Sequence, residues 1–288
     1  MIKQTLKNVR DFIPINHLVT ASFKYSFGLR GKAPEVITKY IPRAGSFSVK
    51  LPNGKNLKLW SKADECVTNL VYWHGWDAHE PETSRLFFQM AQEAKVIFDI
   101  GAHIGYYALL AAKAQPQAQV FAFEPLPIVF ERLKHNLALN NLNNVQAFDF
   151  AAGTHGHIAD FYHVPQGIPS SSGLSFEFHS RTGVEITATK VRVIALDDFI
   201  EEQKLTRLDL IKMDTEETEP DVLNGMLVSL KKFRPKIICE VLKKENPELE
   251  KVFSNLNYRY YRLTTDGPVE QTQISAVGLR DNFLFLPS

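Results

Sequence analysis

Carboxylates at the ends of apolar runs are the residues here whose type and spacing can do chemistry. "VIFDIGAHIGYYALLAAKA" (96–114) passes from an apolar stretch into Asp99, then Gly101 and Gly105, before a helical pattern begins. Glycines at such a corner let backbone approach a ligand, and a helix start at Ile104 offers N–H groups to a carboxylate. Glu124 ends the next apolar run, "QVFAFE", where an acid can accept both hydrogen bonds of a ribose diol. Asp214 ends "LDLIKMD", Glu216 follows two residues later, and Glu240 sits in "KIICEV". Three carboxylates near one point can raise one pKa into a useful range, or can hold Mg²⁺.

Each piece also has a plain structural reading. Gly101 and Gly105 can serve tight strand–helix packing, Glu124 can be a solvated strand end, and Asp214 and Glu216 can cap a helix starting near Glu219. The dinucleotide fingerprint G-x-G-x-x-G is missing, as are the lysine and hydroxyl of a P-loop. The order D-x-G-x-x-x-G, then an acid one βα unit later, instead suits an amino acid joined to a nucleoside. S-adenosylmethionine is such a molecule. Among the histidines, His103 lies in the glycine loop, and His155 and His157 flank Gly156 in a turn pattern. His74 and His79 bracket "GWDA" beside Trp73 and Trp76, where a lid, a substrate contact or ordinary packing are all open; no ligand spacing supports a metal pair.

The elements that must position these residues follow from periodicity. Strand patterns at 96–100, 119–124, 144–150, 208–214 and 236–241 alternate with helical patterns at 104–114, 127–140, 219–231 and 246–256. Short β-rich runs separated by helices predict an α/β fold with a mainly parallel sheet covered on both faces. "SFSVKLPNGKNLKLW" reads as a hairpin about Asn53-Gly54, and "PETSRLFFQMAQEA" as a helix with Pro81 in its first turn. Short helical patterns before residue 45 are broken by Pro14, Gly28, Gly31, Pro34 and Pro42. Between Ala151 and Leu205 the rhythm breaks into strand-like "HIADFYHV" and "EITATKVRVIAL" around a soft loop, "PQGIPSSSGLS". "YRYYRLTT" and "NFLFLP" predict an antiparallel pair closing the sheet edge. The domain reading is an N-terminal extension over 1–90 and a main domain over 91–288, with a β-rich insert at about 151–205.

Bulk composition narrows the partners. The chain has 288 residues, 44% hydrophobic and 23% charged, as in ordinary globular proteins. Thirty-three basic residues against 32 acidic ones leave a net charge of +1, so there is no electrostatic case for nucleic acid or an anionic membrane. No apolar run approaches the roughly 20 residues of a membrane span. "MIKQTLKNVRDFIPINHLVT" has no continuous apolar core, so no secretory leader is expected, and the expected location is cytoplasmic. Cys66 and Cys239 make neither a disulfide framework nor a metal cluster.

"FDIGAHIGYYALLAA", "AFEPLPIVFERLKHNLALNN", "VIALDDFI" and "LDLIKMDTEETEPDVLNGM" together resemble the FkbM family of S-adenosylmethionine-dependent methyltransferases over about residues 71–242. "HEPETSRLF" is similar to the segment that precedes the first strand in that family. The resemblance implies a Rossmann-like class I methyltransferase fold, a mainly parallel seven-stranded sheet with an antiparallel closing strand. It implies methyl transfer to a hydroxyl of a small acceptor, typically a sugar, a glycosylated metabolite or a polyketide-type product. The cofactor would meet Asp99, Gly101, His103 and Gly105 at its methionine end, with Glu80 and Thr83 nearby. Glu124 and Pro125 would lie at the ribose, and Asp149, Phe150 and Ala151 at the adenine, although Asp149 is also of the type that caps a strand end. Asp214, with Glu216 and Glu240, would manage the acceptor proton, or Asp214 and Glu216 would hold Mg²⁺. Two positions depart from the family pattern: His103 stands where it usually has Asn, and Glu217 where D-x-E-G has glycine. N-methylation, for which "KMDTEETE" has no Asn/Asp-Pro-Pro-aromatic strand end, and a non-catalytic cofactor-binding protein are the competing readings.

Overall fold

The computed structural model describes residues 13–28, 41–165, 167–169, 172–175, 185–242, 246–278 and 280–288. The helical patterns expected before Ile13 and over 29–40, and part of the soft loop after Val164, lie outside the described residues. The first described element is α1 (Ile13–Gly28), whose Asn16 side chain donates to Pro42 O and accepts from Ala44 N. Those two bonds tie α1 to β1 (Ala44–Lys50). β1 pairs antiparallel with β2 (Asn56–Lys62), and Gly54 supplies the left-handed residue of the turn at φ +79°. The Asn53-Gly54 hairpin is therefore present as its sequence predicts.

Next come α2 (Cys66–His74) and α3 (Pro81–Ala91), then β3 (Val96–Ile100), α4 (Tyr106–Ala114), β4 (Gln119–Phe123), α5 (Pro127–Leu139) and β5 (Val145–Phe148). A second group of strands, β6 (Phe150–Ala152), β7 (His157–His163), β8 (Ser172–Gly173) and β9 (Thr187–Ile194), precedes α6 (Leu196–Glu202). The chain ends with β10 (Leu210–Met213), α7 (Glu219–Asn224), α8 (Leu227–Phe233), β11 (Lys236–Val241), α9 (Pro247–Asn255), β12 (Tyr258–Thr264), β13 (Gly267–Gln271) and β14 (Asp281–Pro287).

The main sheet has eight strands in the order β13-β12-β14-β11-β10-β3-β4-β5. Strands β5, β4, β3, β10 and β11 run parallel, and β14 is antiparallel to both β11 and β12. This is the Rossmann-like arrangement, with two differences in detail from the sequence reading. "NFLFLP" does pair antiparallel with "YRYYRLTT", but it lies inside the sheet rather than at its edge. The edge belongs to β13, an eighth strand formed because the chain reverses at Gly267 (φ +110°) and pairs back on β12. The insert is its own four-stranded sheet, β6-β9-β7-β8, and α6 still follows it as the crossover helix. The helical pattern at 219–231 is two helices. A Cβ on Gly225 would stand 1.9 Å from Gly153 O, so backbone from the insert occupies the break between them.

Strand alternation sorts the core into two layers. One face of the sheet, with Ile97, Val120, Leu210 and Ile238, packs with α3, α4 and the hairpin residues Phe47, Leu57 and Leu59. The hairpin's backbone is met by α5: Asn136 Oδ1 accepts from Trp60 N, and Asn140 both accepts from Lys58 N and donates to Lys58 O. The other face holds Phe98, Phe121, Phe123 and Phe150 with Phe199 of α6. Phe199 meets five phenylalanine rings at centroid distances from 4.9 to 6.0 Å. Truncating a ring so enclosed removes burial and leaves a cavity, so Phe199→Ala should lower unfolding free energy by about 3–5 kcal/mol. Urea denaturation measures this, and the exposed Ile158→Ala, expected within about 0.5 kcal/mol of the parent, is the control.

Candidate active site

The site forms where the parallel strands end. Gly101 follows β3 at φ +80°, and a Cβ there would stand 1.9 Å from Asp214 O. The glycine thus permits contact with the end of β10, which Asp214 N cements by donating to Ile100 O. Gly105, at φ +88°, presses on Leu133, whose Cδ1 a Cβ would meet at 2.4 Å. It shapes the loop by packing and does not line the cavity. Between the two, His103 takes φ +50°, a conformation Asn adopts more readily.

Asp99 and Glu124 organise this loop. Asp99 Oδ2 accepts from Ala108 N in the first turn of α4 at 2.8 Å. Glu124 Oε2 accepts from His103 N at 3.0 Å, and its Oε1 from Leu126 N at 2.9 Å. Both carboxyls are almost wholly buried, and burial pushes each up to about 7 despite those hydrogen bonds. A carboxylate has about four lone-pair sites, so Glu124 keeps acceptor capacity toward the cavity it lines.

The cavity walls come from four places. Gly101, Ala102, His103, Glu124 and Pro125 form one end, and Phe123, Phe150, Ala151 and Ala152 an apolar slot. His79, Glu80, Tyr106, Tyr107, Lys212, Asp214, Thr215, Glu216 and Thr218 form the other end, with Cys66 and Arg280. The insert contributes Phe161, Pro169, Ser172 and Leu174, and His103 Nε2 lies 2.9 Å from Pro169 O.

Three predicted residues sit elsewhere. Asp149 is 70% exposed in its side chain and 4.0 Å from Arg192, because alternation at that strand end turns Phe150 inward and Asp149 out. Thr83 is buried in α3 at 2% exposure, behind the cavity, and Gly105 backs onto Leu133. Nor do Trp73 and Trp76 make a lid: Trp73 is a core residue stacked edge-on to Tyr72, and Trp76 packs on Phe88.

The expected carboxylate group is rearranged. Glu80, rather than Glu216, joins Asp214 and Glu240, with an oxygen of each within 4.8 Å of the others. Glu80 occupies a left-handed position (φ +47°) at the start of α3, and Tyr107 Oη donates to its Oε2 at 2.6 Å. Among these acids lies Lys212, 1% exposed, its Nζ 3.9 Å from Asp214 Oδ2 and over the Tyr107 ring. Burial pulls the Lys212 ammonium down, but Asp214, Glu80 and Glu240 outweigh it and hold the group above its usual value. Burial would lift Glu80, yet Lys212 and His79 hold it below the carboxylate range. Glu240 goes the other way: burial, then Asp214 and Glu80, push it far up, so it keeps its proton at neutral pH. Arg280 Nη1 donates to Glu240 Oε1 at 3.3 Å.

That donor set does not fit Mg²⁺. A divalent ion would sit against the Lys212 ammonium, which already balances these carboxylates. Lys212, Tyr107 and Arg280 are site residues to which the sequence reading gave no role, while His79, open there to a substrate contact, lines the cavity. Lys212 had a signal, a charge inside the strand "LIKM".

The profile of the Methyltransferase FkbM domain family matches residues 99–260, more than half of the chain. The chain belongs to that family. Similar proteins include the hexuronic acid methyltransferase AglP of Haloferax volcanii, 31% identical over 158 residues, covering 52% of this chain and 58% of AglP. Methyltransferase 1 of Beauveria bassiana is 31% identical over 144 residues, covering 45% of this chain and 57% of that protein. The 2-O-methyltransferase NoeI of Sinorhizobium fredii is 29% identical over 149 residues, covering 48% of this chain and 60% of NoeI. The chain thus spans less than two thirds of the length of these relatives. Among solved structures, a methyltransferase FkbM from Methylobacillus flagellatus aligns with a TM-score of 0.44 and 17% identity over 67% of this chain and 43% of that one. No helix among the described residues of this FkbM-domain chain is long and apolar enough to cross a membrane.

The buried acids make stability depend on pH. Asp99, Glu124 and Glu219 sit near 7, each raised mainly by burial, against about 4 in an unfolded chain. The folded protein therefore holds protons that the unfolded chain has released. Their stabilising contribution is complete below about pH 4 and is lost as pH rises through about 7. Denaturant-unfolding free energy should fall between pH 5 and 8, and Glu219→Gln should flatten that slope by about one proton's worth, up to 1.4 kcal/mol per pH unit. A slope identical in parent and variant would place Glu219's value elsewhere.

Proposed function

We propose that this FkbM-domain chain is an S-adenosylmethionine-dependent methyltransferase acting on a hydroxyl of a small acceptor, a sugar or a glycosylated or polyketide-type metabolite. One observation carries the reading: the glycine loop after β3, Glu124 after β4 and Asp214 after β10 line one cavity at the carboxyl ends of adjacent parallel strands. That is the ligand position of an open α/β sheet. The donor set suits a cationic sulfonium nucleoside. Glu80, Asp99, Glu124, Asp214 and Glu216 face the cavity against Lys212 and Arg280. Glu124 would take the ribose diol, the slot of Phe123, Phe150 and Ala151 the adenine, and the loop from Asp99 to His103 the amino-acid end. Bound there, the cofactor supplies an electrophilic methyl group. The chain's part is to hold the acceptor in line with that methyl, exclude water and accept the hydroxyl proton.

Support for a hydroxyl acceptor comes from the names of AglP and NoeI, one a hexuronic acid methyltransferase and the other a 2-O-methyltransferase. The strand end Asp214-Thr215-Glu216-Glu217 lacks the Asn/Asp-Pro-Pro-aromatic pattern that an amine substrate favours. We assign the main domain to 91–288, the insert to the acceptor wall, and 1–90 to an N-terminal extension, whose hairpin packs against α4 and α5. The balanced charge and the two free cysteines favour a cytoplasmic setting.

Two measurements test this reading. Glu124→Ala should weaken S-adenosylhomocysteine binding in calorimetry by about 1.5–3 kcal/mol; unchanged affinity in a folded variant refutes the ribose assignment. Turnover of methyl-labelled S-adenosylmethionine over a panel of sugars and glycosides separates catalysis from mere binding. On the acceptor that reports turnover, Asp214→Asn should cost about 10²-fold or more in kcat with little change in S-adenosylhomocysteine affinity. Full affinity with no turnover on any hydroxyl or amine would make the chain a cofactor-binding accessory protein.

A further inference from the structure

His79, the first residue of "HEPETSRLF", is a group in the cavity to which the proposed function gives no task. It follows α2 and immediately precedes Glu80, and it lines the cavity beside Lys212 and Asp214. Its ring meets Tyr106 edge-on at 5.5 Å and Tyr107 at 6.3 Å, so two aromatic neighbours fix its plane. Neither ring nitrogen has a hydrogen-bond partner among the described residues, and neither is sealed from solvent. By contrast, His103 Nε2 meets Pro169 O, and His163 engages both of its ring nitrogens. An oriented imidazole with its nitrogens open to a cavity is a group waiting for a ligand proton.

The other acids of the cavity are committed. Asp99 and Glu124 accept backbone N–H groups, Glu80 takes the Tyr107 hydroxyl, and Asp214 lies against the Lys212 ammonium. Glu240 is held protonated, and Glu216 interacts with Arg280.

We propose that the His79 imidazole accepts the proton of the acceptor hydroxyl during methyl transfer, with Asp214 orienting that hydroxyl. The inference rests on the methyl-transfer reading given above. As the acceptor O–H bond breaks, its proton passes to an imidazole nitrogen. The oxygen lone pair forms the new bond to the methyl carbon, and the carbon–sulfur bond of the sulfonium donor breaks with its electron pair left on sulfur. The positive charge of the donor thereby becomes the positive charge of the imidazolium, beside Glu80 and Asp214. The groups facing His79 are Glu80, Asp214, Lys212, His103 and the rings of Tyr106 and Tyr107. Burial, reinforced by Lys212, lowers its pKa against the opposing pull of Glu80 and Asp214, so the ring is neutral and ready at pH 7. Imidazole is the usual side chain for this task because its basicity lies near neutrality.

The first test needs no acceptor. NMR titration of the ligand-free protein should show the His79 ring neutral at pH 7, with a midpoint below the ordinary value of about 6.5; a ring still charged above about pH 7.5 overturns the proposal. The second uses His79→Gln and His79→Ala, checked for folding by urea denaturation. Each should lower kcat by about 10²–10⁴-fold while S-adenosylhomocysteine affinity stays within about threefold. The rising acid limb of the pH–kcat profile should vanish, and added imidazole should restore rate to His79→Ala. A variant within about threefold of parental kcat, or one that loses cofactor affinity and keeps kcat, sinks the His79 assignment and leaves methyl transfer standing. A parent protein that binds S-adenosylhomocysteine yet methylates nothing sinks the underlying reading, and His79 with it.

Discussion

The rest of the site is arranged around one buried ammonium. Lys212 sits in the middle of the sheet at 1% exposure, where an unpaired charge would cost several kcal/mol. Its strand runs in register beside β3, so Lys212 stands opposite Asp99, while Asp214 and the neighbouring Glu240 rise at the strand ends. Glu80 arrives from a different part of the chain, at the start of α3, and Tyr107 of α4 brings both a ring under the ammonium and a hydroxyl to Glu80. The cation therefore decides how α3, α4, β10 and β11 meet. It also keeps Glu80 ionised, whereas at Glu240 burial, Asp214 and Glu80 outweigh its pull and push the carboxyl up. Removing Lys212 would leave buried carboxylates uncompensated, and breaking a buried pair in this way typically costs about 3–5 kcal/mol.

A second constraint is backbone strain collected on the same rim. Glu80, His103, Glu216 and Glu217 all take positive φ, at 47°, 50°, 54° and 74°. Non-glycine residues are held there only when their surroundings fix them. At His103 the fixing is visible: its N–H is bound by Glu124 and its ring by the carbonyl of Pro169. At Glu217, where the pattern that the chain resembles has glycine, a glycine would adopt the angle without cost. The two departures from the family pattern thus fall where the backbone is left-handed. Of the two, His103 lines the cavity.

How much of this was legible depended on whether the signal was local. The strand–helix rhythm, the Asn53-Gly54 hairpin and the acids at strand ends are local facts of composition and spacing, and they placed the sheet and the cavity's two corners. Gly101 was legible as a special position, but its reason, the carbonyl of Asp214 a Cβ would strike, comes from a strand more than a hundred residues away. Asp149 and Phe150 look equivalent as a strand-end pair, and only the pairing register shows which one turns inward. The grouping of Glu80 with Asp214 and Glu240 was not legible at all, because it depends on how α3 crosses the end of the sheet. Lys212 is a charge inside the strand "LIKM", a signal whose meaning needs the acids that surround it.

These features together bear on why a cation belongs in this cavity. Glu124, buried and raised to about 7, meets two backbone N–H groups and no positive side chain among the described residues, whereas Asp99 already feels Lys212 across the strand pair. Lys212 is spent on Glu80 and Asp214 at the opposite end. A positively charged ligand lying between the two ends would supply what the near end lacks, favouring ionised Glu124 just where a ribose would call on it as an acceptor. On the proposed reading a sulfonium donor would supply that charge, and its thioether product would not. The same acid that favours the donor would then hold the product less firmly. A cavity whose charge is balanced around Lys212 and incomplete at Glu124 is therefore compatible with the proposed donor, which would enter as a cation and leave without that charge.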